Sequence, residues 1–196
     1  MELTQRLQTQ LSPMHQWLEK APLATQLLSP HLTWAEYTQL LTCFYQVIAP
    51  FEKALQAVSD DFYQAGLVDI EPRLEKTQWL QSDLASLAPK AKATVGPPSG
   101  EVGLGLVGSA PLSAAAGALY VLEGATLGAQ IILPKVKKTL GDAVPVRFYA
   151  GYGDHTQARW QSLCVWLNQS SLDPHEAVLA GAEVFLRLRQ SLVGAP

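Results

Sequence analysis

Apolar residues recur along this chain at intervals of three and four, the spacing that gathers them on one face of an α-helix. Leu3, Leu7, Leu11, Met14 and Leu18 form the first stripe. Ser12 and Pro13 read as a cap followed by a first-turn proline, so a break or kink is expected near Pro13. Thr33, Trp34, Ala35 and Glu36 make a capping box that opens a long segment. There Tyr37, Leu40, Leu41, Phe44, Tyr45, Ile48, Phe51 and Leu55 give a broad apolar face, and Pro50 is expected to kink it. A third helix is expected over residues 72–87, with Leu74, Leu80, Leu84 and Leu87 inward and Pro89 just past its end. Residues 88–111, rich in Gly, Pro, Ala and Val, read as a loop. The helical pattern returns over residues 112–140, interrupted by Pro134 and stopped by Gly141. Asp154 or Thr156 opens a helix carrying Trp160, Leu163, Val165 and Leu167. Asp173, Pro174 and Glu176 start the last one, with Val178, Leu179, Val184, Phe185, Leu188 and Leu192 on its apolar side. No alternating run is long enough for a strand. The expected fold is all-α, one domain over residues 1–196.

Charge narrows the function. Hydrophobic residues make up 48% of the chain and charged ones only 16%, with a net charge of −3. That is the wrong sign for gripping nucleic acid through its phosphates. Residues 93–134 contain no Lys or Arg, and Glu101 and Glu123 are their only acids. Residues 102–122 could span a bilayer by length alone. Gly103, Gly105, Gly108, Ser109, Pro111 and Ser113 dilute the apolar density of that stretch, however, and Glu123 and Gln130 follow it. The expectation is a buried core helix with a loose approach and no membrane. Met1-Glu2-Leu3-Thr4-Gln5 has no apolar leader, and Cys43 and Cys164 lack metal-ligand spacing. Both cysteines are expected as free thiols in a cytoplasmic, monomeric protein.

Two features carry candidate chemistry. His31, His155 and His175 stand in turns or helix starts, and no pair of histidines shares a helical face as a zinc site requires. His15 flanks the Leu11/Leu18 stripe with Glu19 one turn on. It is either a histidine at the edge of a core or an axial ligand to an iron porphyrin, which needs one neutral imidazole in apolar surroundings. Gly117, Gly124 and Gly128 lie at i, i+7 and i+11 on one helical face, and each interior glycine costs about 1 kcal/mol relative to alanine. Either another helix packs backbone to backbone there or a flat ligand lies on the bare backbone.

Five blocks then carry a resemblance: His15-Gln16-Trp17-Leu18-Glu19; Phe44-Tyr45-Gln46-Val47-Ile48-Ala49-Pro50-Phe51-Glu52; Trp79-Leu80-Gln81-Ser82-Asp83-Leu84; Ala118-Leu119-Tyr120-Val121-Leu122-Glu123-Gly124-Ala125-Thr126-Leu127-Gly128; and Phe148-Tyr149-Ala150-Gly151-Tyr152-Gly153 followed by Trp160. In order and coverage they resemble the bacterial heme oxygenases, most closely the branch associated with bacteriophytochromes. The resemblance implies a heme, both substrate and cofactor, held between a proximal helix and a kinked distal helix. His15 would be the axial ligand of the heme iron. Gly124 and Gly128 would be the catalytic backbone of the distal helix, with Glu19, Thr126 and Arg159 as further heme contacts. Oxygen and electrons from an external ferredoxin or reductase would open the ring to biliverdin, carbon monoxide and ferrous iron, with a bacteriophytochrome as possible acceptor of the product.

The chain departs from the family pattern in several places. Before His15 the only basic residue is Arg6. Ala125 stands where some members carry a distal aspartate, Ile48 where they carry a tyrosine, and Ala129 where the second of two paired glycines is usual. Gln161 replaces an arginine that often follows the aromatic position, and Arg159 precedes it instead. These replacements leave open an alternative: a non-catalytic heme or tetrapyrrole binding protein on the same fold.

Overall fold

The computed structural model describes residues 1–91 and 110–194. Among them the regular structure is helical, with no strand: α1 (Leu3–Glu19), α2 (Pro22–Gln26), α3 (Trp34–Gln56), α4 (Ser59–Gln64), α5 (Lys76–Ala91), α6 (Pro111–Leu140), α7 (Arg147–Ala150), α8 (Thr156–Gln169) and α9 (Pro174–Gly194). Short 3₁₀ turns stand at Glu71–Arg73 and Gly153–His155. The all-α expectation holds. Most of the loop expected at 88–111 lies outside the described residues.

Local signals account for several helix ends. Thr33 Oγ1 accepts from the Glu36 amide while Glu36 Oε2 accepts from the Thr33 amide, closing the capping box of α3. Asp173 Oδ1 accepts from the amides of His175 and Glu176 at the start of α9, and Gly141 ends α6 with φ 91°. Other ends are set from a distance. The Glu52 carboxylate, buried on α3, accepts from the amides of Lys76 and Thr77 at 2.8 Å each and fixes the start of α5 there. The helix therefore begins at Lys76 instead of residue 72, and it runs past Pro89 to Ala91. Asp83 does the same for α7, accepting from the amides of Arg147 and Phe148, and its burial pushes its carboxyl above the ordinary range.

No break occurs at Pro13: α1 is continuous from Leu3 to Glu19. Leu3, Leu7 and Leu11 are buried on one face, while Thr9, Ser12 and Pro13 face solvent. Water can therefore satisfy the Thr9 carbonyl that proline leaves without a donor. Helices α3 and α6 likewise run through Pro50 and Pro134. Two positions expected on apolar faces, Val165 and Leu179, are 53% exposed. By length and composition α6 could cross a membrane, and half of its most apolar window is buried inside the protein. Cys43 and Cys164 are free.

Helix α9 joins the rest, packing along α1, α3 and α6. Its crossing with α6 is backbone on backbone. A Cβ on Gly117 would stand 1.8 Å from the Ala177 carbonyl oxygen. One on Gly181 would meet Leu11 Cδ1 at 2.7 Å and the Gly117 carbonyl oxygen at 3.3 Å. Helices α1, α6 and α9 thus converge at Leu11, Gly117 and Gly181. Gly117→Ala is expected to lower stability by about 1–3 kcal/mol, because backbone rather than a flexible side chain must yield. Chemical denaturation measures this, and an unchanged midpoint would contradict the crossing.

Candidate functional site

Past this junction the three helices present the candidate site. One turn beyond Leu11 and Gly181 stand His15 and Phe185, whose rings meet edge to face at 5.8 Å. One turn beyond Val121, which touches the Gly181 position, stands Gly124. The His15 side chain is 57% exposed, held on one side by Phe185 and not enclosed in a crevice. Its Nδ1 lies 3.6 Å from Glu19 Oε1, which leaves Nε2 directed away from the carboxylate. Phe185 reads from sequence only as core. The glycine at 181, one turn before it, was the available signal that α9 makes a close crossing at this point.

The glycine face divides in two. Gly117 serves the α6–α9 crossing, whereas a Cβ on Gly124 would meet only the Trp160 ring, at an ordinary 3.7 Å, and one on Gly128 would meet nothing within 4 Å. Packing among the described residues therefore requires glycine at neither place. Gly124, Gly128 and Ile131 line one side of α6, and Ile131 is 68% exposed. Trp160 borders this strip and packs on Tyr120 at 5.1 Å. Burial, and then the neighbouring Cys164, push the Tyr120 hydroxyl up to about 12, so it stays protonated at neutral pH. Gly128→Ala is expected to stabilise the protein by about 0.5–1 kcal/mol, the helix-propensity gain with no clash against it. A lower melting temperature for this variant would show that the strip is packed.

Other expected contacts fall elsewhere. Thr126 is buried, its hydroxyl bonded to the Glu123 carbonyl oxygen at 2.6 Å and its methyl side against Gly151. It braces α6 against the α7 turn, away from the open strip. Arg159 lies with its guanidinium 4.5 Å from the Tyr152 ring centre, in a cavity walled by α5, α7 and α8. The structure does not bring it together with His15. Ala129 is 1% exposed, so the methyl in place of a second glycine is turned into the core. Ile48 is also buried, and Ala125 is exposed.

Behind the strip lies a charge cluster that the sequence reading did not assemble. Glu123, one residue before Gly124, is 1% exposed. Its Oε2 accepts from Arg73 Nη1 at 2.6 Å, and its Oε1 from Lys76 Nζ at 2.5 Å and the Tyr152 hydroxyl at 2.7 Å. Arg73 also pairs with Asp69 and donates to the Arg159 carbonyl oxygen and to Ser162. Burial and then the Glu123 carboxylate raise the Tyr152 hydroxyl well above its usual value, keeping it a donor. A lone acid in an uncharged stretch was the available signal, since a buried carboxylate needs buried bases. No group of three or more His, Cys, Asp or Glu side chains suited to a metal ion occurs among the described residues.

The sequence model of the family described as Heme oxygenase matches residues 1–190. The chain belongs to the heme oxygenase family. Among solved structures, a heme oxygenase from Leptospira interrogans superposes with a TM-score of 0.80 at 17% identity, covering 99% of this chain and 100% of that one. Heme oxygenase-1 from the cyanobacterium Synechocystis sp. PCC6803, solved in complex with heme, gives 0.75 at 16% identity, covering 98% and 91%. At these identities the two structures establish a shared heme oxygenase fold. No curated relative matches the sequence.

Proposed function

We propose that this protein is a heme oxygenase that binds heme between α1 and the open strip of α6 and opens it to biliverdin, carbon monoxide and ferrous iron. The observation that carries the reading is the pair Gly124 and Gly128. They keep α6 bare where no atom of the described residues needs the room, at a cost of about 1 kcal/mol of helix stability each. A flat macrocycle is the kind of ligand such a strip admits, and the exposed imidazole of His15 is the donor its iron requires.

The residues present fit the group. His15 would ligate through Nε2, with Glu19 beside Nδ1 to hold the ring's orientation. Phe185 and Ile131 would cover apolar ring surface and exclude water. When bound, heme supplies an iron centre that activates oxygen and the macrocycle that is opened, with electrons from an external ferredoxin or reductase. The chain supplies shape. A strip without side chains would let the α6 backbone approach the macrocycle closely, and the buried Glu123 cluster holds that strip in place. With Ala125 and Ile48 offering no ionisable group, protons for the reaction would come through water at the exposed edge. A bacteriophytochrome is the proposed acceptor of the product, and the protein is proposed to work as a cytoplasmic monomer.

The test is carbon monoxide release. Protein loaded with hemin, given ascorbate and oxygen, should release about one carbon monoxide per heme consumed, measured in the headspace gas. Heme loss without carbon monoxide would refute the enzymatic reading. Gly128→Leu, which fills the strip, should weaken hemin binding while leaving the fold intact.

A further inference from the structure

A second cavity lies apart from the proposed heme cleft. Its volume is about 660 Å³, within the range of small-molecule sites, and it is walled by the Glu71–Arg73 turn, α5, α7 and α8. No residue of α1, α6 or α9 lines it. Two guanidiniums dominate the walls. Arg147 lies 4.3 Å from the Trp79 ring centre and Arg159 lies 4.5 Å from that of Tyr152. The two rings meet edge to face at 5.2 Å, so each cation is fixed on a rigid aromatic base. Arg147 donates to the Gly151 carbonyl oxygen at 2.7 Å. Neither forms a salt bridge among the described residues, and Arg159 Nη1 is buried without an acceptor. Glu75 is the only carboxylate among the described lining residues, and His155 adds a further nitrogen.

A guanidinium stacked on a ring keeps its edge donors in a planar fork, the geometry that receives a carboxylate or phosphate through two parallel hydrogen bonds. An unpaired buried donor is costly unless something accepts from it. The volume is too large for an inorganic ion alone. We propose that the cavity between Arg147 and Arg159 binds a small organic oxyanion, a carboxylate or phosphate ester, at a site independent of the heme cleft.

The test titrates the protein with benzoate, phenyl phosphate, inorganic phosphate and the neutral benzyl alcohol. The readout is the nuclear magnetic resonance of the arginine Nε–H groups and the Trp79 indole. At least one of the two organic anions should saturably shift the Arg147, Arg159 and Trp79 signals, and whichever binds tighter identifies the headgroup. Inorganic phosphate should bind more weakly than phenyl phosphate. Arg159→Gln should weaken binding about tenfold or more, and Arg159→Lys by less. Arg159 makes no side-chain hydrogen bond among the described residues, so its replacement decides the matter even if Arg147→Gln fails to fold. Binding in the presence of saturating hemin should be unchanged. The proposal fails if neither organic anion binds, if benzyl alcohol binds as tightly, if Arg159→Gln binds normally, or if hemin displaces the probe. None of these outcomes depends on whether heme is turned over.

Discussion

Glu123→Ala is expected to destabilise the protein by about 3–5 kcal/mol, the cost of leaving buried cations without their counter-charge. Arg73 is 0% exposed and Lys76 is 0% exposed, and the Glu123 carboxylate answers both. After its removal Arg73 keeps Asp69, which is 38% exposed, while Lys76 keeps the Arg73 carbonyl oxygen, the Tyr152 hydroxyl at 3.3 Å and the rings of Trp79 and Tyr152, but no carboxylate among the described residues. Lys76 is therefore the group that loses most. Replacing Lys76 by Met in the Glu123→Ala background should recover part of the loss, because no ammonium then remains to be neutralised. Urea denaturation of the single and double variants measures both steps. A change below about 1 kcal/mol for Glu123→Ala would mean that water reaches the cluster. Since Glu123 precedes Gly124, the same variant should also loosen the glycine strip.

His15→Ala should have the opposite profile. The imidazole is more than half exposed and touches the protein chiefly through the edge of Phe185, so its loss should change stability by no more than about 0.5 kcal/mol. Its effect should fall on heme. The ferric complex of the variant should lack the Soret band of a histidine-ligated iron, carbon monoxide release should fall to background, and added imidazole should restore part of the spectrum. Glu19→Gln should keep the ligand while weakening heme affinity by about tenfold, as expected for a group that orients a metal-bound histidine. A His15→Ala complex with an unchanged spectrum would remove the ligand assignment.

Much of the fold was legible because its signals are local. The stripe from Leu3 to Leu18, the Thr33–Glu36 box, the Asp173 cap and the Gly141 stop each act within a few residues and stand where the periodicity puts them. What escaped depends on partners far along the chain. The start of α5 is set by Glu52, some twenty-four residues away, and α7 by Asp83, sixty-four residues away. Pro13 looked like a break because spacing does not show which carbonyl faces water. For the candidate site, residue type and spacing singled out His15 and the glycines of α6 but left a core-edge histidine and a helix crossing as alternatives, and only the resemblance assigned them to a heme. Gly117 on the same face was not separable from them until Ala177 was placed against it. Thr126 and Arg159 differ again: both sit within family-like segments, but their side chains point to Gly151 and Tyr152, and helical register in one element does not say what the next element packs against it.

The most direct test of the central claim is a single turnover. Hemin bound stoichiometrically to the protein is exposed to ascorbate and oxygen, and the absorption spectrum is followed until it stops changing. The account predicts that the Soret band of the histidine-ligated complex disappears and that biliverdin is extracted in an amount approaching the heme lost. A heme that remains bound and intact, or that bleaches without yielding biliverdin, would contradict it.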